Sequence, residues 1–295
     1  MDLVHLKGDV YFLPGRVNVG VVRDGRSAII IDTGLDDESG RRIIRAVESA
    51  GWQATALINT HSHADHCGGN KYIQERTKVE TYAPIIEAGI IQFPYLEPLY
   101  LSSGACPIDE LHNRFLMARP SNVDVVIEKQ NELDFGSIKV KVISLPGHSP
   151  NQIGIEVQDI LFCADSVFSE EVLRKHMIPF FIDIEKEKKT LAFLGSTANS
   201  FYVPSHATPC AQIQDLVVAN SKRIVEIEKY ICESTEGTQD QILKSICDKF
   251  GMELKEFGQY YLTSTAIAAY LSYLHRQLRL MPILVGNELI WRKTI

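Results

Sequence analysis

At 295 residues, with 45% hydrophobic side chains and a net charge of −7, the chain can hold one large domain, or a large one and a small one, around a well-filled core. The acidic balance argues against nucleic acid as a main partner, because phosphate binding needs clustered lysine and arginine. No stretch nears the roughly 20 apolar residues of a membrane helix, and the opening Met-Asp-Leu-Val-His-Leu-Lys-Gly-Asp lacks the basic-then-apolar layout of a signal peptide. The six cysteines are scattered and form no CxxC pair. The expectation is a cytoplasmic globular protein with reduced thiols and no membrane association.

Three short strands are expected at 9–13, 17–22 and 28–31, with Asp24-Gly25 as a hairpin signal between the last two. Ile29-Ile30-Ile31 is the kind of apolar run that is buried on both faces, and it stops at Asp32-Thr33-Gly34. Ile43, Ile44 and Val47 share one face of a helix predicted over 38–50, with Gly51 as its stop. A strand at 55–59 then leads into His61-Ser62-His63-Ala64-Asp65-His66, three imidazoles and a carboxylate in six residues. Imidazole is the commonest protein ligand for a d-block metal, and carboxylates complete such sites for zinc, iron or manganese. His61 and His63 stand two apart, which suits a looped backbone, whereas a helical metal motif spaces its histidines by four. Gly68-Gly69 then permits tight turns and a helix opens at Asn70, so the cluster is placed on a loop between strand and helix.

From about 84 to 124, Phe93, Pro94, Tyr95, Pro98, Tyr100, Pro107 and Pro120 break any long periodicity. The stretch reads as an insertion: a lid or substrate wall over the metal loop, or equally a homodimer contact. Strands return at 125–127 and 138–145, the second running into Pro146-Gly147-His148-Ser149-Pro150. A hairpin of 152–157 and 160–163 turns at Gln158-Asp159 and ends at Asp165. A helix is expected at 185–196, and a strand at 201–203 ends at Pro204-Ser205-His206. His148 and His206 thus repeat the strand-end position of the first cluster.

Beyond Ala211 the pattern is helical, with Ile224, Ile227 and Ile231 at helical spacing, further helices at 242–250 and 263–280, and a hairpin at 282–293 about Gly286-Asn287. Three helices and a two-stranded wing follow the order of a winged-helix module. Ten Lys/Arg balance ten Asp/Glu from 211 to 295, so a cap, packing platform or dimer element is favoured over a DNA reader.

His61, His63, Asp65 and His66, then His148, Asp165 and His206, resemble the metallo-β-lactamase superfamily pattern HxHxDH, His, Asp, His, complete and in order over about residues 1–210. The resemblance implies an α/β fold, the αββα sandwich, for that part of the chain, followed by the small helical, winged-helix-like region read above at 211–295. It implies two divalent ions, zinc first and iron or manganese as alternatives. His61, His63 and His148 would hold one ion, Asp65, His66 and His206 the other, and Asp165 would bridge them. Two such ions sharing a water supply hydroxide at neutral pH and polarise the electrophile. Asp65 is suited to orient that hydroxide and carry its proton. Asp32 is read either as a brace behind the histidine loop or as a cap of its own turn. Cys67 and Cys163 are read as small buried hydrophobes, and His5, His112, His176 and His275 as surface or packing residues.

The expected function is a dinuclear metallo-hydrolase acting on an ester, thioester, lactone or phosphodiester small molecule. The glyoxalase II type shares the seven ligands, although no equivalent of its glutathione-binding C-terminal segment is visible. Alternatives within the resemblance are a mononuclear iron sulfur dioxygenase and an endoribonuclease. A metal-stabilised binding protein without catalysis is the non-enzymatic reading.

Overall fold

The computed structural model describes residues 2–234 and 236–294. Strands β1 (Val4–Lys7), β2 (Val10–Leu13), β3 (Val19–Asp24), β4 (Ser27–Ile31), β5 (Gln53–Ile58), β6 (Glu80–Pro84) and β7 (Val125–Ile127) form a seven-stranded sheet in that order. The first four pair antiparallel, while β4 through β7 pair parallel. Parallel neighbours need crossovers, and α1 (Asp37–Ser49) and α3 (Asn70–Arg76) supply them. The side chain of Asp36 caps α1 by accepting from Ser39 N, and Ile43, Ile44 and Val47 are buried as their spacing predicts.

Strands β8 (Glu132–Asp134), β9 (Lys139–Ser144), β10 (Ile153–Val157), β11 (Ile160–Phe168) and β12 (Phe201–His206) form the second sheet, in the order β12-β11-β10-β9-β8. Two helices, α6 (Glu170–Lys175) and α7 (Ile184–Ser196), link its parallel pair β11 and β12. Alternation along the strands explains the layering. Ile29 and Ile31 meet Ile155, Phe162 and Val203 between the sheets, whereas Ala28 and Ile30 face Ile43, Ile44, Val47 and Ile73 of α1 and α3. Both faces of β4 are therefore dry, which is why it reads as an unbroken apolar run. On the far side Leu161, Cys163 and Tyr202 pack against Leu191 and Leu194 of α7. The result is helix, sheet, sheet, helix: the αββα sandwich expected from the resemblance.

The C-terminal elements are α8 (Gln214–Ser234), β13 (Glu236–Gly237), α9 (Gln239–Phe250), α10 (Phe257–Arg276), β14 (Leu280–Val285) and β15 (Glu288–Lys293). The hairpin lies where Gly286-Asn287 places it. α10 begins before the predicted 263–280; it also ends earlier, where Leu278 takes a positive φ of 56° and Leu280 pairs with Lys293. Ile224, Ile227, Ile242, Ile246, Ile267 and Leu271 share one continuous core with the outer face of the second sheet. Among the described residues no helix is long and apolar enough to cross a membrane.

Residues 84–124 are more regular than their prolines suggest, holding α4 (Ile85–Gln92), α5 (Leu96–Leu101) and a 3-10 turn at Asp109–Leu111. Pro84 directly precedes α4 and Pro98 sits in the first turn of α5, where a missing N–H costs nothing. Leu101, Leu111 and Leu116 pack with Phe180 and with Tyr261 and Leu262 of α10, which ties the insertion to the C-terminal helices.

Candidate metal centre

All seven residues meet at one edge of the sandwich, after the C-terminal ends of β5 and β9, along β11 and at the last residue of β12. β5 ends at Ile58, Asn59 and Thr60 follow, and His61 opens the loop. A single helical turn, α2 (Ala64–Cys67), has His63 at its boundary and carries Asp65 and His66. Buried Asn59, Asn70 and Thr33 pin that turn: Asn59 Nδ2 donates to the His66 carbonyl at 3.2 Å, and Thr33 N donates to the same oxygen at 2.8 Å. A Cβ on Gly68 would run into the Leu35 carbonyl, so glycine is required there. His148 follows β9 through Gly147, at φ +143°, where a side chain would collide with Glu187. Asp165 does not end its strand as expected. β11 continues to Phe168, and Ala164 at φ +50° breaks the ladder just before the aspartate. With Asp32 at φ +61°, two non-glycine residues in the left-handed region flank the site.

The imidazole nitrogens converge. His63 Nδ1 lies 3.1 Å from His61 Nε2 and 2.8 Å from His148 Nε2. On the other side His206 Nε2 stands 3.3 Å from Asp65 Oδ2 and 3.3 Å from Asp165 Oδ2, and His66 Nε2 stands 3.2 Å from Asp165 Oδ1. His148 Nε2 is 3.4 Å from Asp165 Oδ2, so Asp165 faces both groups. The sets His61, His63, His148 and Asp65, His66, His206 each bring their donor atoms within 4.8 Å, as do His61, His66 and Asp165.

The opposite nitrogen of each ring decides what these donors can do. His148 Nδ1 donates to the Phe180 carbonyl at 2.8 Å, and His206 Nδ1 to the Arg16 carbonyl at 3.0 Å. Because Thr60 Oγ1 donates to Asp32 Oδ2 at 2.8 Å, it accepts from His61 Nδ1 at 3.0 Å. His66 Nδ1 donates to Asp32 Oδ2 at 2.8 Å, which makes Asp32 the brace. Four rings are thereby fixed with Nε2 turned inward, the arrangement a metal-binding histidine requires. Burial drives His61 well below the usual imidazole range, His63 to about 4 and His148 to about 3, so these nitrogens keep their lone pairs at neutral pH. For His206 burial acts the other way from its neighbours, yet Asp165 and Asp65 raise it to about 10. Against the effect of burial, His66 and His206 hold the Asp65 carboxyl low, and His206 and His66 do the same for Asp165. The buried Asp165 and the half-open Asp65 thus demand positive charge between them, and His66 Nε2 and Asp165 Oδ1 are buried with no hydrogen-bond partner. Nitrogen and oxygen donors without thiolate, with orphaned atoms aimed inward, fit divalent cations of the zinc, iron or manganese kind.

A model of the metallo-beta-lactamase superfamily matches residues 13–206. The chain belongs to the metallo-β-lactamase superfamily. Membership supports an enzyme. Among curated relatives, the hydroxyacylglutathione hydrolase of Erythrobacter litoralis is 27% identical over 137 residues, 46% of this chain and 43% of that protein. The hydroxyacylglutathione hydrolase of Brucella ovis is 27% identical over 155 residues, 52% and 48%. The match therefore spans less than half the length of these relatives. Among solved structures, a metallo-beta-lactamase family protein from Thermus thermophilus aligns over 97% of this chain and 98% of its own, with TM-score 0.74 and 13% identity. A beta-lactamase domain protein from Burkholderia ambifaria covers 99% and 94%, with TM-score 0.76 and 15% identity. Both alignments run over nearly the whole chain, the C-terminal region included.

Around these seven residues stand groups the sequence did not single out. Glu97 of α5 is 3% exposed, with Oε1 4.0 Å from His63 Nε2 and accepting from Tyr100 Oη at 2.5 Å. Burial pushes its carboxyl up to about 8. Glu87 of α4 is fully buried between the two histidine loops. Phe168 and Phe180 face the rings, Phe180 at 5.5 Å from His63 and Phe168 at 6.1 Å from His206. None of these has a spacing signal. Cys67 lies beside the site but turns its thiol to the Ser62 carbonyl at 3.2 Å, and burial raises it well above the usual thiol range, as it does Cys163.

Proposed function

We propose that this enzyme is a dinuclear metal-dependent hydrolase of a small carbonyl ester, with a thioester as the first substrate class to test. The observation behind this reading is the pair of three-residue donor sets meeting at Asp165. His61, His63 and His148 would hold one ion, Asp65, His66 and His206 the other, with Asp165 between them. Bound there, two divalent ions, zinc in the first instance, would supply Lewis acidity and lower the pKa of water to near neutrality. The chain's own part follows from its geometry. Asp165, 5% exposed, balances charge at the junction, while Asp65 keeps 37% of its side chain open and can take or give a proton beside bound substrate. Phe168 and Phe180 form an apolar wall that limits water at the rings. The thioester class is supported by the hydroxyacylglutathione hydrolase relatives; their glutathione is not carried over.

The order helix, strand, helix, helix, strand, strand from α8 to β15, with β13 pairing β15, supports reading 211–295 as a winged-helix-like region acting as a packing platform. Its balanced charge supports that role over nucleic-acid binding.

The deciding experiment is elemental analysis of protein purified without added metal, followed by hydrolysis assays on acyl thioesters, oxygen esters, lactones and phosphodiesters. Two ions per chain with turnover of a thioester or ester carries the reading. A single iron with oxygen uptake overturns it in favour of the dioxygenase, and phosphodiester cleavage alone overturns the substrate class.

A further inference from the structure

We infer that Glu87 is a positioning residue that joins the two histidine loops into one preformed cage. Its carboxylate takes four hydrogen bonds. Oε2 accepts from Ser62 N at 3.1 Å and from Ser62 Oγ at 2.6 Å. Oε1 accepts from Ser149 Oγ at 2.8 Å and from Asn151 N at 2.9 Å. Ser62 is the residue between His61 and His63, and Ser149 follows His148. One rigid group thus holds the midpoint of the first loop and the neighbour of the distant histidine, which come from different sheets.

The helix carrying Glu87 is itself anchored. Ala88 and Ile91 of α4 pack with Cys67 and Ala83 under the metal loop. Glu87 is 0% exposed, and Ser62 and Ser149 are buried with it, so their donors lose their acceptor if the carboxylate is lost. Each oxygen accepts from one N–H and one O–H, and an amide cannot replace that: glutamine offers one acceptor oxygen, and its NH2 would face a backbone N–H. The insertion therefore serves the site by bracing it from behind, in addition to any contact with substrate. Because Ser62 and Ser149 flank only His61, His63 and His148, the effect falls on that set and not on Asp65, His66 and His206.

The inference rests on the proposed reading of these loops as metal ligands. Its test is Glu87→Gln in the full-length protein, with zinc affinity measured by chelator competition, cobalt absorption spectra, and amide exchange on metal-free protein. The expected result is that one of two ions binds about ten- to a hundredfold more weakly, the range typical of groups supporting a ligand. The Ser62 and Asn151 amides should exchange faster in metal-free E87Q, and the cobalt spectrum should change. Affinities, spectrum and exchange matching wild type overturn the inference. If E87Q does not fold, Ser149→Ala decides, since it removes a single hydroxyl: a weaker first ion upholds the linkage and an unchanged one overturns it. Wild-type protein that binds no divalent ion would instead overturn the metal reading itself.

Discussion

Asp32 Oδ2 lies 2.8 Å from His66 Nδ1, and its Oδ1 accepts from Thr60 N at 2.8 Å. One carboxylate thereby orients His66 and, through Thr60, His61. Replacing it by alanine should lower zinc affinity by about ten- to a hundredfold, as loss of such a support does elsewhere. Chelator competition measures this. A D32A protein binding zinc like wild type would show that the brace has no energetic weight.

Asp65 separates catalysis from stability. Asp65→Asn keeps the shape of the side chain and removes its basicity, so kcat should fall by about 10²–10⁴, the range for a lost general acid–base group. Because Asp65 is also one of the three proposed ligands of the second ion, the comparison is made on metal-saturated protein, where the thermal midpoint should stay near that of wild type. Loss of stability with turnover retained would favour the non-catalytic reading.

Glu97 should leave a pH signature on the metal-free protein. Its carboxyl moves from an ordinary value of 4.5 up to about 8, through burial foremost. The folded protein then keeps a proton that the unfolded chain has lost, so the contribution of this group is full below 4.5 and is lost as pH rises through 8. Urea titrations should show stability falling over that window more steeply for wild type than for Glu97→Gln. Parallel profiles would mean that Glu97 does not hold its proton.

Ile227 of α8 is fully buried in the core shared with α7 and the second sheet, whereas Val225 is 53% exposed. Ile227→Ala should cost about 2–5 kcal/mol in urea unfolding, and Val225→Ala no more than about 0.5 kcal/mol. Because the core is continuous, the loss should appear in one transition that includes the sandwich. Two separate transitions would show that the C-terminal helices unfold on their own.

Much of the site was legible because its chemistry is local. His61, His63, Asp65 and His66 crowd into one loop, and the turn Gly147-His148 and the Ser205-His206 pair each follow a strand that reads plainly from its apolar run. Asp165 was visible as a residue but not its setting, since the break at Ala164 is a backbone conformation with no residue-type signal. The helices at 85–92 and 96–101 were hidden because short helices show too few turns for a period, and prolines tolerated in a first turn look the same as prolines that break a helix.

By itself the sequence determined the donor set, its order along the chain and the strands that present it, because residue type and spacing along a strand or loop are covalent facts. Only the tertiary structure decided which carboxylates serve the site from behind. Glu87 meets Ser149 across 62 residues of chain, and Glu97 reaches His63 from a separate helix. A glutamate in an irregular stretch looks the same whether it will face water or be buried. What separates the two is the packing of two sheets and an insertion, which removes water and leaves the buried N–H and O–H groups of the ligand loops to find an acceptor within the protein.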